Sequence, residues 1–206
     1  MGTQVYVWDR FVRFFHGSLV TAFATAWLSA EENDAVHSIA GYAVIALVLA
    51  RLAWGFVGTR HARFADFVRG PRAVMRYLRS LASGAEHHVG HNPAGGWMVV
   101  ALLAMLLLTT ATGAIVYGYE GHGPFATTLA PARATGAPES ATERKARRRA
   151  EHRWEEIHEF AANTTLVLIG LHVAGVVVAS RLHRENLVRA MFSGYKRGSG
   201  APGTGR

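Results

Sequence analysis

Four of the chain's eleven histidines fall within or at the ends of long apolar runs: His16, His37, His158 and His172. Two of them bracket one run, HEFAANTTLVLIGLH, residues 158–172. On a helix, fourteen residues rise roughly 21 Å, and a turn of ~100° per residue brings the second imidazole within ~40° of the first. Both therefore point to one side of the helix, at two depths of a bilayer whose hydrocarbon core is about 30 Å thick. Ionisable groups at such depths are expensive and usually functional. Two nitrogens per level suit an iron that takes axial ligands from opposite faces, whereas zinc wants four ligands, or three plus water. Beyond Glu155, Glu156 and Glu159 at the start of the fourth run, the apolar runs hold no Asp or Glu, so a carboxylate-assisted zinc site or a proton-coupled metal transporter lacks its usual groups in the membrane interior.

The runs that must position these histidines are long enough to cross a membrane. Half of the 206 residues are hydrophobic and the formal charge is +8, with the charges gathered between the apolar runs. Spans are expected at about 12–30, 36–58, 96–118 and 154–180, as helices, because the runs do not alternate polar and apolar residues. The basic balance points to membrane surfaces; no nucleic-acid partner is expected, since no reader motif accompanies it. Cysteine is absent, which excludes disulfides, thiolate metal sites and covalent thioether haem. The first run follows Arg10 and Arg13 like a signal peptide, but it is long, carries His16 and precedes three more spans.

Orientation follows from Lys and Arg near the span ends. Arg10 and Arg13 precede the first span, and EENDAV after it has no positive charge. The next connection holds Arg60, Arg63, Arg69, Arg72, Arg76 and Arg79, and the C-terminal segment adds Arg181, Arg184, Arg189, Lys196 and Arg197. Both termini and the middle loop are expected to be cytoplasmic. ERKARRR at 143–149 dissents, but it is interleaved with Glu and outweighed by three consistent segments. With this topology, His37 and His158 share the outer level, and His16 and His172 the cytoplasmic level. Gly41, Ala162 and Gly175 follow His37, His158 and His172 at helical spacing and leave room for a flat macrocycle; small residues there also serve helix packing.

The loops carry their own signals. PRAVMRYLRSLA, 71–82, predicts a short interfacial helix with Arg72, Arg76 and Arg79 on one face and Val74, Leu78 and Leu81 on the other. GHNPAGG, 90–96, is turn chemistry entering the third span. His91, Asn92 and Trp97 there are candidates to meet a quinone head, although capping of the helix by His91 and Asn92 is the favoured reading. GSGAPGTGR, 198–206, is expected to be a disordered tail.

In combination, VWDRFVRFFH, VHSIAGYAVIALVLARLAWGFVG, RFADFVRGP, GHNPAGGW, HEFAANTTLVLIGLHVAGV and LHRENLVRAMFSG resemble the bacterial cytochrome b561 family, which includes the cytochrome b subunits of nickel–iron hydrogenases. The resemblance spans about residues 4–197 and implies an all-α, four-helix integral membrane domain with two b-type haems. Carried over, His16 and His172 would ligate one haem and His37 and His158 the other, as iron axial ligands. The resemblance assigns no role to the basic third connection.

The expectation is therefore a di-haem b-type cytochrome of the bacterial inner membrane, multi-pass and part of a respiratory chain. It would move electrons between a quinone pool and a redox partner such as a hydrogenase or another cytochrome, as an electron-transfer protein or a quinone oxidoreductase component. A second reading is a membrane-anchor haem subunit of a larger oxidoreductase. A third, of another class, is a non-redox metal-binding or transport protein.

Overall fold

A computed structural model describes residues 4–80 and 90–197. The element order is β1 (Gln4–Tyr6), α1 (Arg10–Ser29), α2 (Asp34–Val57), α3 (Phe64–Phe67), α4 (Pro71–Ser80), α5 (Pro93–Tyr119), α6 (Ala126–Leu129), α7 (Pro131–Thr135), α8 (Ala141–Leu182), α9 (Leu187–Ser193) and β2 (Tyr195–Arg197). The fold is helical throughout, apart from an antiparallel β1–β2 ribbon that pairs Val5 with Lys196. Leu81 and the 198–206 tail lie outside the described residues.

α2, α5 and α8 are long and apolar enough to cross a membrane. α1 is more polar, because Arg10, Arg13, His16 and several Ser, Thr and Gly residues interrupt its apolar positions. Its 20 residues still give a rise of about 30 Å, the thickness of a hydrocarbon core. α8 differs most from expectation: its 42 residues begin at Ala141 and carry the ERKARRR segment on the same helix as His158 and His172. A reciprocal cap explains the early start. Ser140 N–H donates to Glu143 (2.9 Å), and Glu143 N–H returns a bond to the Ser140 hydroxyl (3.3 Å), which satisfies donors that a helix start leaves open.

The chain forms two compact units, and α1, α2, α5 and α8 each contribute to both. The first comprises residues 1–18, 49–101 and 168–206. Val7, Trp8, Val12, Ala62 and Ala190 form its core, with Phe11, Trp54 and Met191 packed against it. Its N- and C-terminal segments meet at Gly194, whose carbonyl accepts from both Val7 N–H and Trp8 N–H. Gly194 sits at φ +88°, and a Cβ there would meet the Tyr6 ring at 2.6 Å, so this junction requires glycine. α4 buries Tyr77 and leaves Leu78 and Met75 half exposed beside its arginines. Val74 and Leu78 thus do not share one buried face; apolar residues beside exposed arginines suit a helix in the interface.

The second unit comprises residues 19–48 and 102–167. Val44, Val48, Ala161 and Thr165 are essentially inaccessible, and Thr109 and Thr165 share a hydroxyl–hydroxyl hydrogen bond of 3.2 Å between α5 and α8. Arg147 is 9% exposed and bonds Glu151 at 2.7 Å, Glu139 at 3.0 Å and the Tyr119 carbonyl at 3.3 Å. These bonds tie the first turns of α8 to the end of α5 and to the segment that precedes α8.

Candidate functional site

In the second unit, His37 on α2 and His158 on α8 face each other with ring centroids 6.1 Å apart and planes at 90°. Their Nδ1 atoms turn away from the gap. His37 Nδ1 lies 2.9 Å from the Ala26 carbonyl, and His158 Nδ1 lies 2.9 Å from the Thr109 carbonyl and 3.3 Å from the Thr112 hydroxyl. A carbonyl only accepts, so each Nδ1 carries its proton and each Nε2 keeps a free lone pair. Metal-binding histidines are oriented in this way, by an acceptor on the far side of the ring that fixes tautomer and ring plane.

A cavity of about 530 Å³ opens at this pair, and Gly41, Thr109, Gly113, Ala114 and Ala162 line it along with both histidines. That volume is within the range of cofactor sites, roughly 300–1,000 Å³. Nothing lies within 4 Å of where a Gly41 side chain would begin, whereas a Cβ on Gly113 would sit 2.9 Å from His158 Cε1. Gly113 thus gives His158 its place against α5. Among the described residues, the cavity lining includes Glu31, Glu32 and Glu159 and no Lys or Arg.

The first unit holds His16 and His172, half-buried and within electrostatic reach of each other. Gly17, Gly170 and Gly175 leave open space at their Cβ positions. Arg51 is 3% exposed; its Nη2 donates to the Ala62 carbonyl at 3.1 Å and its guanidinium lies 5.4 Å from the Phe64 ring centre. Arg51 Nη1, Arg13 Nε and His91 Nδ1 are buried without a hydrogen-bond partner. Orphaned donors of this kind call for a ligand or water.

His91 is wedged between the rings of Trp8 and Phe67, each 4.6 Å away. Burial, then the nearby Arg51 charge, pushes it down to about 3. The other two residues of its turn are committed elsewhere. Asn92 Oδ1 accepts from Gly95 N–H at 2.7 Å and caps α5, and Trp97 Nε1 donates to the Arg69 carbonyl at 2.7 Å.

Sequence reasoning missed Asp9, which organises the start of α1. Its carboxylate accepts from Val12 N–H (2.8 Å), Trp54 Nε1 (3.0 Å) and the Thr59 hydroxyl (2.6 Å). Burial pushes Asp9 up, but these bonds outweigh it and hold the carboxyl below its ordinary value. An Asp directly before an apolar helical run is the signal that could have found it. Thr109 and Gly113 gave no signal, because their role depends on a histidine in another helix.

Helices that can cross a membrane, with the His37 and His158 rings facing each other beside a cavity, define a helical membrane protein with one paired-imidazole site. Among the described residues, no group of three or more His, Asp or Glu is placed to hold a metal. Residues 7–194 match the family described as prokaryotic cytochrome b561, and the chain belongs to it. It is a multi-pass membrane protein that binds haem b and transfers electrons. No curated protein and no solved structure matches the chain.

The residues fit that cofactor. His37 and His158 stand with ring centroids 6.1 Å apart beside the cavity, and with each Nδ1 engaged by a carbonyl the other ring nitrogen is left for a metal.

Proposed function

We propose that the chain holds two haem b groups, one between His37 and His158 and one between His16 and His172, and carries electrons between a quinone pool and a redox protein. The observation that carries this reading is the first pair: imidazoles at 6.1 Å, each with Nδ1 engaged by a backbone carbonyl. When bound, a haem would supply reversible one-electron chemistry, and the paired histidines would hold it. The chain's own part is to hold ligands of the right tautomer in a water-poor cavity. His37 and His158 present Nε2 because Ala26 and Thr109 fix Nδ1–H, and Gly41 and Ala162 leave the cavity open between α2 and α8.

The Lys/Arg pattern supports four spans, α1 included, with both termini cytoplasmic in a bacterial inner membrane. In that topology, His37 and His158 lie at the outer level and His16 and His172 at the cytoplasmic level. For a quinone head, His91 is the remaining donor of its turn, with a buried, unpartnered Nδ1. His91→Ala should then slow quinol-driven haem reduction and leave haem content and the dithionite-reduced spectrum unchanged; unaltered quinol kinetics would remove His91 from the role.

The haem reading is tested by the purified protein's spectrum and haem-to-protein ratio. Sharp alpha and Soret bands on reduction, with two low-spin signals in electron paramagnetic resonance, are the expected result; one haem per chain would reject the second site. A second reading, a haem subunit anchoring a larger oxidoreductase such as a hydrogenase, draws support from the exposed basic face of α8. Quinol oxidation by the isolated chain separates the two: turnover without a partner favours the independent carrier.

A further inference from the structure

We propose that the exposed face of the first turns of α8 is a capture surface for the acidic face of a soluble redox protein. This rests on the electron-carrier reading above. At ~100° per residue, Arg144, Lys145, Arg148, Arg149 and Arg153 fall on one half of the helix, and Arg147, Glu151 and His158 on the other. Exposure follows this division: the five cations are exposed, while Arg147, Glu151 and His158 are half-buried. The two sides also differ in pairing. Arg147 is held between Glu139 and Glu151, and Arg144 reaches Glu139 at 3.7 Å. Among the described residues, Lys145, Arg148, Arg149 and Arg153 have no carboxylate within ion-pair distance. Four unpaired cations in under three turns form a concentrated positive field that needs a partner of opposite sign.

Height above the membrane favours a protein over lipid headgroups. Trp154 stands where an aromatic residue marks the interface, and Lys145 lies nine residues before it, a rise of about 14 Å. The polar layer on each side of a bilayer is only about 5–8 Å deep. With Trp154 at the interface, Lys145 and Arg148, about 14 and 9 Å from it, project past the headgroups into water, Arg149 lies at their edge, and the Arg147 network braces this part of the helix. A rigid, like-charged ridge raises the encounter rate with an acidic protein and loses that advantage as salt screens it.

The test uses the haem-loaded full chain in nanodiscs of zwitterionic lipid. The probe is oxidised flavodoxin, a small acidic redox protein, and basic cytochrome c serves as the opposite-sign control. Flavodoxin should bind at low salt and weaken by about tenfold or more when salt rises from about 20 to 200 mM. The K145E/R148E/R149E variant should lose that binding and bind cytochrome c instead, with haem content unchanged by absorption. Equal flavodoxin binding by wild type and variant would overturn the proposal, as would tighter binding of cytochrome c by the wild type. A spin label on Lys145→Cys in this cysteine-free chain should be reached by a water-soluble nickel chelate. In nanodiscs containing phosphatidylglycerol, a label shielded at headgroup depth would assign the ridge to lipid and overturn it. A chain that captures flavodoxin but holds no haem would support the ridge and defeat the electron-carrier reading, so the two failures are distinct.

Discussion

The two units hold the same kind of histidine pair in opposite electrostatic surroundings. The first unit, which contains His16 and His172, also contains Arg51 and Arg13 with unsatisfied buried donors, and a His91 that burial keeps neutral. Around His37 and His158, the second unit supplies backbone carbonyls at both Nδ1 atoms and glutamates in the cavity lining. Fixed positive charge favours an added electron and fixed negative charge opposes it. If both pairs hold haem as proposed, one ligand type would have two different potentials, with the His16–His172 centre the stronger acceptor.

The largest effect that could break this comparison is loss of a ligand. His172→Ala should remove the low-spin centre of the first unit or convert it to high spin and spare the other; His158→Ala should do the converse. Haem-to-protein ratio and electron paramagnetic resonance would show it, and two intact low-spin centres in either variant would strike that histidine from the set. Next is Gly113→Ala, whose methyl would sit 2.9 Å from His158 Cε1. It should lower haem occupancy of the second unit alone, read as a partial loss of one Soret component.

A smaller effect is acid sensitivity confined to the first unit. His91 is held at about 3 in the fold against 6.5 when free, so the unfolded chain binds its proton first as pH falls. This contribution to stability is complete above about pH 6.5 and is lost as pH drops toward 3, reaching at most about 2 kcal/mol by pH 5. Thermal unfolding of His91→Phe should show a flatter pH profile over that range; an unchanged profile would mean that His91 is not what acid attacks.

The remaining predictions sharpen the electrostatic contrast itself. A unit charge ~10 Å from the electron, at an effective dielectric near 20, is worth about 1.7 kcal/mol, or about 70 mV for a one-electron couple. Arg51→Gln should lower the potential of the His16–His172 centre by that order and leave the other in place, as redox titration would show. Glu31→Gln with Glu32→Gln should raise the His37–His158 centre by less, because both side chains are exposed and screened by solvent and salt. A matching shift in both centres would erase the distinction between the units.

Much of this protein was legible in its sequence, because helix periodicity and apolar length are local properties. Residue spacing indicated the helices and put His158 and His172 on one face of α8, and the Lys/Arg bias was needed as well for the expected pairing of four histidines by level; the structure brings His37 and His158 together at 6.1 Å. Tertiary structure alone decided how the imidazoles are aimed. The bond from His158 to the Thr109 carbonyl joins residues 49 apart, and the bonds from Trp54 and Thr59 to Asp9 join residues 45 and 50 apart. No window of local sequence contains both partners. The same reason hid the start of α8. Read as sequence, ERKARRR looks like a charged loop; in the fold, the Ser140–Glu143 cap and the Arg147 bonds to Glu139, Glu151 and Tyr119 carry the helix through it. The sequence set which residues could bind iron. Packing between helices set which nitrogen each one offers.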